Sequence, residues 1–103
     1  MSINRFVVYL WIVNIKKIEK ISKALSDANR IAILDQLRKK KNCLYCSEVN
    51  EFLDLAQPSV SHHLKQLVDA ELLIPEKEGR IIRYRLNEKV LNDYIANLTR
   101  LTD

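Results

Sequence analysis

Glycine and proline are nearly absent from this chain of 103 residues, which contains one glycine and two prolines. Disordered and collagen-like chains are rich in one or both residues, so this scarcity favours an ordered, helix-rich fold. A single glycine also argues against the glycine-rich loops with which many enzymes hold phosphate groups. We expect residues 1–103 to form one domain, whose small core would be enlarged by pairing with a second copy.

Cysteines and long apolar runs are also few. The two cysteines, Cys43 and Cys46, cannot form the disulfide framework of a small secreted domain, so they suit a reducing, cytoplasmic environment. The apolar run at residues 6–13 has eight residues, whereas a bilayer requires about 20. We therefore expect no membrane partner, and we interpret this run as a helix that is buried or faces a partner protein.

Positive charge is in mild excess, with seventeen lysines and arginines against thirteen acidic residues and a net charge of +4. This balance suits an anionic partner such as nucleic acid, although many ordinary proteins match it. The function must therefore be argued from motifs.

The apolar spacing and the helix-capping residues predict a winged helix-turn-helix fold, which is mainly α with a small β-hairpin. Apolar residues recur every three or four positions over residues 4–25, and Asp27 is a good N-cap for the next helix. Pro58 suits the first turn of a later helix, Pro75 marks an edge strand, and Asn87 can cap the last helix. The predicted helices cover residues 4–25, 28–40, 47–53, 58–70 and 88–101, and the predicted strands cover residues 72–74 and 80–86.

The helix at residues 58–70 has the character of a DNA-recognition helix. On a helical wheel Val60, Leu64 and Leu67 face the core, which leaves a face of hydroxyl, imidazole and amide groups with one cation. Such groups can hydrogen-bond base edges and phosphates, and recognition helices meet the major groove with their first turns. A solvated polar face is the simpler alternative. The DNA contacts predicted here are Gln57, Ser59, Ser61, His62, His63 and Lys65.

The predicted hairpin carries arginines that could contact phosphates. Strand alternation places Arg83 and Arg85 on the face opposite Ile82, Tyr84 and Leu86, and Arg80 lies beside the Gly79 turn. No acidic residue lies between Gly79 and Leu86, which argues against a merely solvated strand. We therefore predict that Arg80 and Arg83 contact DNA from this wing.

Three segments, residues 25–34, 57–67 and 79–84, resemble the ArsR/SmtB family of repressors. The stretch Gln-Pro-Ser-Val-Ser-His-His-Leu at residues 57–64 is the most specific of them. The resemblance implies a homodimer formed by the first and last helices, with one recognition helix in each DNA half-site. It also implies release of DNA when a metal ion or another inducer binds. The residues predicted at the dimer interface are Val8, Trp11, Ile12, Ile15, Leu91, Tyr94, Ile95 and Leu98.

Cys43 and Cys46 are the candidates for sensing such an inducer. They lie at the start of the short third helix, where the helix dipole favours thiolates, which bind zinc, copper(I) or arsenite and are readily oxidised. In the family, a metal box places two cysteines one residue apart, at positions that Tyr45 and Ser47 hold here. The last helix has no histidine to supply a second site. Idle thiols, metal or metalloid binding, and redox sensing all remain open, and no cofactor is required for the fold.

An enzyme and a protein- or RNA-binding module are the two alternative functional classes. A disulfide oxidoreductase would need a βαβ unit around its Cys-x-x-Cys motif, and the predicted elements supply none, so we expect no enzyme. A winged helix that binds protein or RNA is the stronger rival, because Asp69, Glu71, Glu76 and Glu78 add negative charge near the recognition helix and the wing.

Overall fold

The computed structural model describes residues 4–103 and confirms the predicted winged helix-turn-helix order. Five α-helices enclose a small core, a three-stranded sheet carries the wing, and a single 3₁₀ turn at Arg100–Thr102 ends the described chain. The helices are α1 Arg5–Ala24, α2 Ala28–Lys39, α3 Cys46–Leu53, α4 Gln57–Asp69 and α5 Glu88–Thr99. The strands are β1 Leu44–Tyr45, β2 Leu73–Glu78 and β3 Ile81–Leu86.

Polar side chains fix where the helices begin. The Asp27 carboxylate accepts the backbone N–H of Asn29 at 2.8 Å, and the Asn87 side chain accepts that of Val90 at 3.3 Å. Each satisfies a backbone donor that the first helical turn leaves free, as the sequence predicted. Helix α4 begins at Gln57, one residue earlier than expected, with Pro58 in its first turn and no side-chain cap from Ala56.

The sheet contains a strand that the sequence did not reveal. β1 pairs antiparallel with β3, Leu44 opposite Tyr84, so the sheet order is β1-β3-β2 and the predicted two-stranded hairpin is incomplete. A strand of two residues is too short to show an alternating pattern. β2 lies at the edge, as Pro75 predicted, but extends to Glu78 and joins β3 through a turn in which Gly79 has a φ of +60°.

The core lies where α2, α3 and α4 meet the sheet. Val60, Leu64 and Leu67 of α4 are almost fully buried, which confirms the face predicted to point inward. Burial of this stripe orients α4 and leaves its opposite face to solvent. The other fully buried large side chains are Ile33, Leu37, Leu44, Val49, Leu72 and Leu73.

The first half of α1 extends away from this core. Its apolar side chains from Phe6 to Ile12 are exposed, and Trp11 is 63% accessible, so within one chain this segment is not the buried helix that was one interpretation. Burial in α1 begins near its end, at Ile21 and Ala24. No helix within residues 4–103 is long and apolar enough to cross a membrane.

Candidate nucleic-acid interface

The outer face of α4 presents a row of polar side chains above its buried stripe. α3 packs against the inner face of α4, where Val49 of α3 and Val60 and Leu64 of α4 share the core. Among the residues predicted to contact DNA, five are exposed on or beside this outer face. They are Gln57, Ser59, Ser61, His62 and Lys65.

His63 does not belong to that row, and its predicted role as a DNA contact requires correction. Its side chain is only 9% exposed, and its Nδ1 lies 3.2 Å from a guanidinium nitrogen of Arg30 on α2. His63 follows Val60 by three residues and precedes Leu67 by four, so helical geometry places it beside the buried stripe. His62, one residue earlier, points to solvent.

Gln57 fastens the start of α4 to α3. Its Oε1 accepts a hydrogen bond from Asn50 at 2.5 Å, and its Nε2 donates to the Cys46 sulfur at 3.1 Å and to the Ser61 hydroxyl at 3.3 Å. The amide that was predicted to meet DNA is therefore already engaged within the protein. Sequence reasoning missed Asn50, although its position four residues after Cys46 places both on one face of α3.

Further along α4, Lys65 pairs with an acid of its own helix. Its ammonium lies 2.8 Å from the Asp69 carboxylate, and this hydrogen bond lowers the pKa of Asp69 below its ordinary value. Both groups are exposed, so the pair is weak and a phosphate could replace Asp69 as the partner of Lys65.

Arg83 and Arg85 of the wing form ion pairs with acidic residues of β2, although their own strand contains no acidic residue. Arg83 lies 3.1 Å from Glu76 and 3.0 Å from Glu78, and Arg85 lies 2.5 Å from Glu76. Hydrogen bonds from Arg85 and Arg83 hold the pKa of Glu76 below its ordinary value.

These ion pairs correct the expectation that the wing arginines are free because their strand lacks acidic residues. Acidic residues are absent between Gly79 and Leu86, but the pairing register places Glu76 of β2 opposite Arg83 of β3. Arg80 lies at the exposed turn, beyond this group of charges. Arg80 is therefore the wing arginine best placed to reach a phosphate.

The two cysteines flank β1. Cys43 precedes this strand, and Cys46 is the first residue of α3, one residue earlier than predicted; both are free and half-buried. The neighbouring Tyr45 hydroxyl donates to Glu78 at 3.2 Å, and the negative charge of Glu78 raises the pKa of Tyr45. Across residues 4–103, no group of three or more His, Cys, Asp or Glu side chains is arranged to hold a metal ion.

The predicted interface residues divide into two groups. Leu91 and Tyr94 pack against the core of their own chain, and the Tyr94 hydroxyl lies 2.8 Å from that of Ser22 on α1. The Ser22–Tyr94 contact holds α5 against α1, the two helices predicted to form the interface. The remaining predicted residues are exposed: Val8, Trp11, Ile12, Ile15, Ile95 and Leu98.

Comparison with known sequences identifies the family. A family of helix-turn-helix domains matches residues 25–76. The chain is 41% identical over 83 residues to the arsenical resistance operon repressor of Staphylococcus aureus, which covers 81% of this chain and 78% of that protein. It is 39% identical over 75 residues to the transcriptional repressor SdpR of Bacillus subtilis (strain 168), covering 73% and 81% of the two chains. The chain belongs to the ArsR/SmtB family of repressors.

Solved structures agree with this assignment. The ArsR-like transcriptional regulator from Rhodococcus sp. RHA1 is 28% identical, covers 86% of this chain and 82% of its own, and superposes with a TM-score of 0.75. HlyU from Vibrio cholerae N16961 is 31% identical, covers 85% and 94%, and has a TM-score of 0.69. The resemblance found in the sequence is thus confirmed.

Membership of the ArsR/SmtB family decides the functional class. Its members are transcriptional regulators and not enzymes, so the polar residues described above have no catalytic role to fill. The family also favours a DNA-binding repressor over the protein- or RNA-binding module that the sequence had left open.

Proposed function

We propose that this ArsR/SmtB repressor acts as a homodimer, with α4 of each copy in one major groove and the turn between β2 and β3 on the adjacent phosphates. The observation that carries this proposal is the exposed polar row on α4, held above a fully buried apolar stripe. A recognition helix needs a buried face that holds it in place and an exposed polar face toward the DNA. The polar face is required because base edges are recognised through hydrogen bonds.

The residues of α4 divide the work of binding. Ser59 and His62 lie in the first two turns and are exposed, so they are the residues we assign to base edges. Ser61 and Lys65 are assigned to phosphates, which fix the register without reading sequence. Gln57 braces the start of the helix through Asn50 and Cys46.

Dimerisation is proposed through α1 as far as Ile15 and through the outer face of α5. These two segments expose large apolar side chains that a small monomer rarely leaves in water. Ile95 and Leu98 are the exposed apolar residues of α5, and the Ser22–Tyr94 contact joins this helix to α1. A symmetric pair would cover this surface and place two copies of α4 on neighbouring turns of DNA.

Fluorescence anisotropy on the DNA upstream of the protein's own gene tests the proposal. We expect specific binding to be about 10³-fold or more tighter than binding to unrelated duplex of equal length, with affinity falling steeply as salt rises. Equal affinity for both duplexes would contradict sequence-specific repression. Preference for an RNA competitor would favour the rejected alternative.

Arg80 and Arg83 are predicted to differ in their contribution to binding. Arg80→Ala should weaken operator and random DNA to the same degree and reduce the slope of log affinity against log salt by about 0.9 for each phosphate that is no longer neutralised. Arg83→Ala should have the smaller effect, because its guanidinium is shared between Glu76 and Glu78. Salt titrations of both variants check this, and a larger change in slope for Arg83→Ala would reverse our ranking.

The signal that releases DNA is proposed to act through the cysteine pair, as a metal, a metalloid or a redox change. Cys46 accepts a hydrogen bond from Gln57, the first residue of α4, so its sulfur directly touches the recognition helix. A bond from Cys46 to a metal, or to Cys43, would remove that acceptor and loosen the brace. Small rotations of α4 matter because half-site spacing is fixed by the DNA.

The thiol variants give a direct test. We expect wild-type protein to lose about tenfold or more of its DNA affinity with at least one of zinc, arsenite or an oxidant, relative to reductant alone. Cys46→Ser should lose this response to every signal, because its sulfur is the one that contacts Gln57. Cys43→Ser should lose the response only if the signal bonds both sulfurs, so it distinguishes a bond to the pair from a bond to Cys46 alone. If wild type responds to none of the three, or Cys43→Ser/Cys46→Ser responds equally, the inducer acts elsewhere.

A further inference from the structure

Arg30 joins three helices at one point behind the recognition helix. Its Nε donates to the Ala24 carbonyl at 2.6 Å, and a terminal nitrogen lies 3.3 Å from the Lys23 carbonyl, so it caps the end of α1. Its other terminal nitrogen lies 3.2 Å from Nδ1 of His63 on α4. One guanidinium on α2 thus holds together the end of α1 and the middle of α4.

The Arg30–His63 contact requires a neutral imidazole. A guanidinium has only donors, so Nδ1 of His63 must accept and the ring proton must sit on Nε2. An imidazolium carries protons on both nitrogens, and it would meet Arg30 donor to donor and charge to charge. Because His63 is only 9% exposed, water screens that repulsion poorly.

The other groups around His63 give a charged ring a different partner. Just before α2, the Asp27 carboxylate caps that helix by accepting the N–H of Asn29 at 2.8 Å. Burial alone would raise the pKa of Asp27, but the Asn29 hydrogen bond, the charge that His63 carries when it is protonated, and Arg30 lower it overall. From α1, backbone carbonyls of Lys23 and Ala24 face Arg30. On α4, the ring of His62 lies 5.9 Å away.

We propose that His63 is a proton-sensitive positioning residue that couples the docking of α4 to pH. When neutral, it accepts from Arg30 and keeps α4 docked on α2 in the orientation that reads DNA. When protonated, it is repelled by Arg30 and attracted to Asp27. The His63–Arg30 contact that holds α4 is then lost, and a contact between His63 and Asp27, at the start of α2, replaces it. DNA affinity then falls at low pH, once His63 has gained a proton.

The ratio of the DNA affinities of wild type and His63→Asn isolates the effect of protonating His63. This test rests on the proposed function, because it requires DNA binding. His63→Asn keeps an acceptor close to the position of Nδ1 but cannot gain a proton, while His62 is present in both proteins. Between pH 7.5 and pH 5.5, the dissociation constant of wild type divided by that of His63→Asn should rise about three- to tenfold, the scale of a single hydrogen bond. A constant ratio across this range would overturn the proposal.

A measurement without DNA tests the pH-dependent docking of α4 separately from the proposed DNA binding. It uses only the wild-type protein, so it does not require that the His63→Asn variant folds. In the NMR spectrum of the wild-type protein, the amide signals of α4 and of the start of α2 should shift together with the His63 ring signals as pH is lowered. Titration of the ring without those backbone shifts would overturn the proposal, even if the protein binds DNA as expected.

Discussion

Replacing His62 or Ser59 by alanine is expected to remove much of the discrimination between operator and random DNA. A good contact to a base edge is worth about 1–3 kcal/mol, so each substitution should reduce the ratio of specific to non-specific affinity about five- to 150-fold. Both residues are exposed on the first turns of α4, and neither belongs to the buried stripe that holds the helix in place. The folded structure should therefore survive both changes, and circular dichroism can verify that.

Arg80→Ala is the contrasting variant for this experiment. It should weaken both DNAs together and leave their ratio unchanged, because phosphate contacts carry no sequence information. If His62→Ala folds normally and keeps the full operator preference, the reading face assigned to α4 is wrong. A loss of affinity that is equal on both DNAs would move His62 from base reading to phosphate binding.

Placing a charge in the exposed apolar patch of α1 is expected to separate the two subunits. Ile15→Asp should change the sedimenting mass at micromolar concentration from twice 12.1 kDa to a single chain. The operator affinity should also fall by about 100-fold or more, because each copy then binds one half-site without the gain from linkage.

The matched control for Ile15→Asp is Ile31→Asp on α2. Ile31 is 52% exposed and Ile15 is 42% exposed, so both substitutions place the same charge at a solvent-facing isoleucine, but only Ile15 lies on the proposed interface. The control should remain a dimer. Wild-type protein that sediments as a single chain, or Ile15→Asp that stays paired, would contradict the two-half-site arrangement.

The parts of the fold that follow local periodicity were predictable from the sequence. Val60, Leu64 and Leu67 define the inner face of α4 by spacing alone, and Asp27 and Asn87 act within their own helices. β1 was not predictable, because two residues carry no period and its partner Tyr84 lies 40 residues along the chain from Leu44.

The electrostatics of the site depended on pairings that are remote in the sequence. Arg83 was expected to be free because its own strand has no acids, yet antiparallel pairing brings Glu76 opposite to it. His63 was expected to contact DNA, yet it contacts Arg30, which lies 33 residues earlier. The hydrogen bond from Gln57 to Cys46 likewise depends on the packing of α3 against α4, which no local sequence pattern predicts.

Hydroxyl-radical footprinting of the protein on its own upstream DNA tests the central claim most directly. A dimer that inserts α4 of each copy into the major groove should protect two symmetric half-sites whose centres lie about 34–36 Å apart, or a multiple of that distance. His62→Ala should blur that pattern, whereas Arg80→Ala should weaken protection without moving it. A single protected half-site would contradict the dimer. The absence of protection on any duplex, even at high protein concentration, would contradict sequence-specific DNA binding itself.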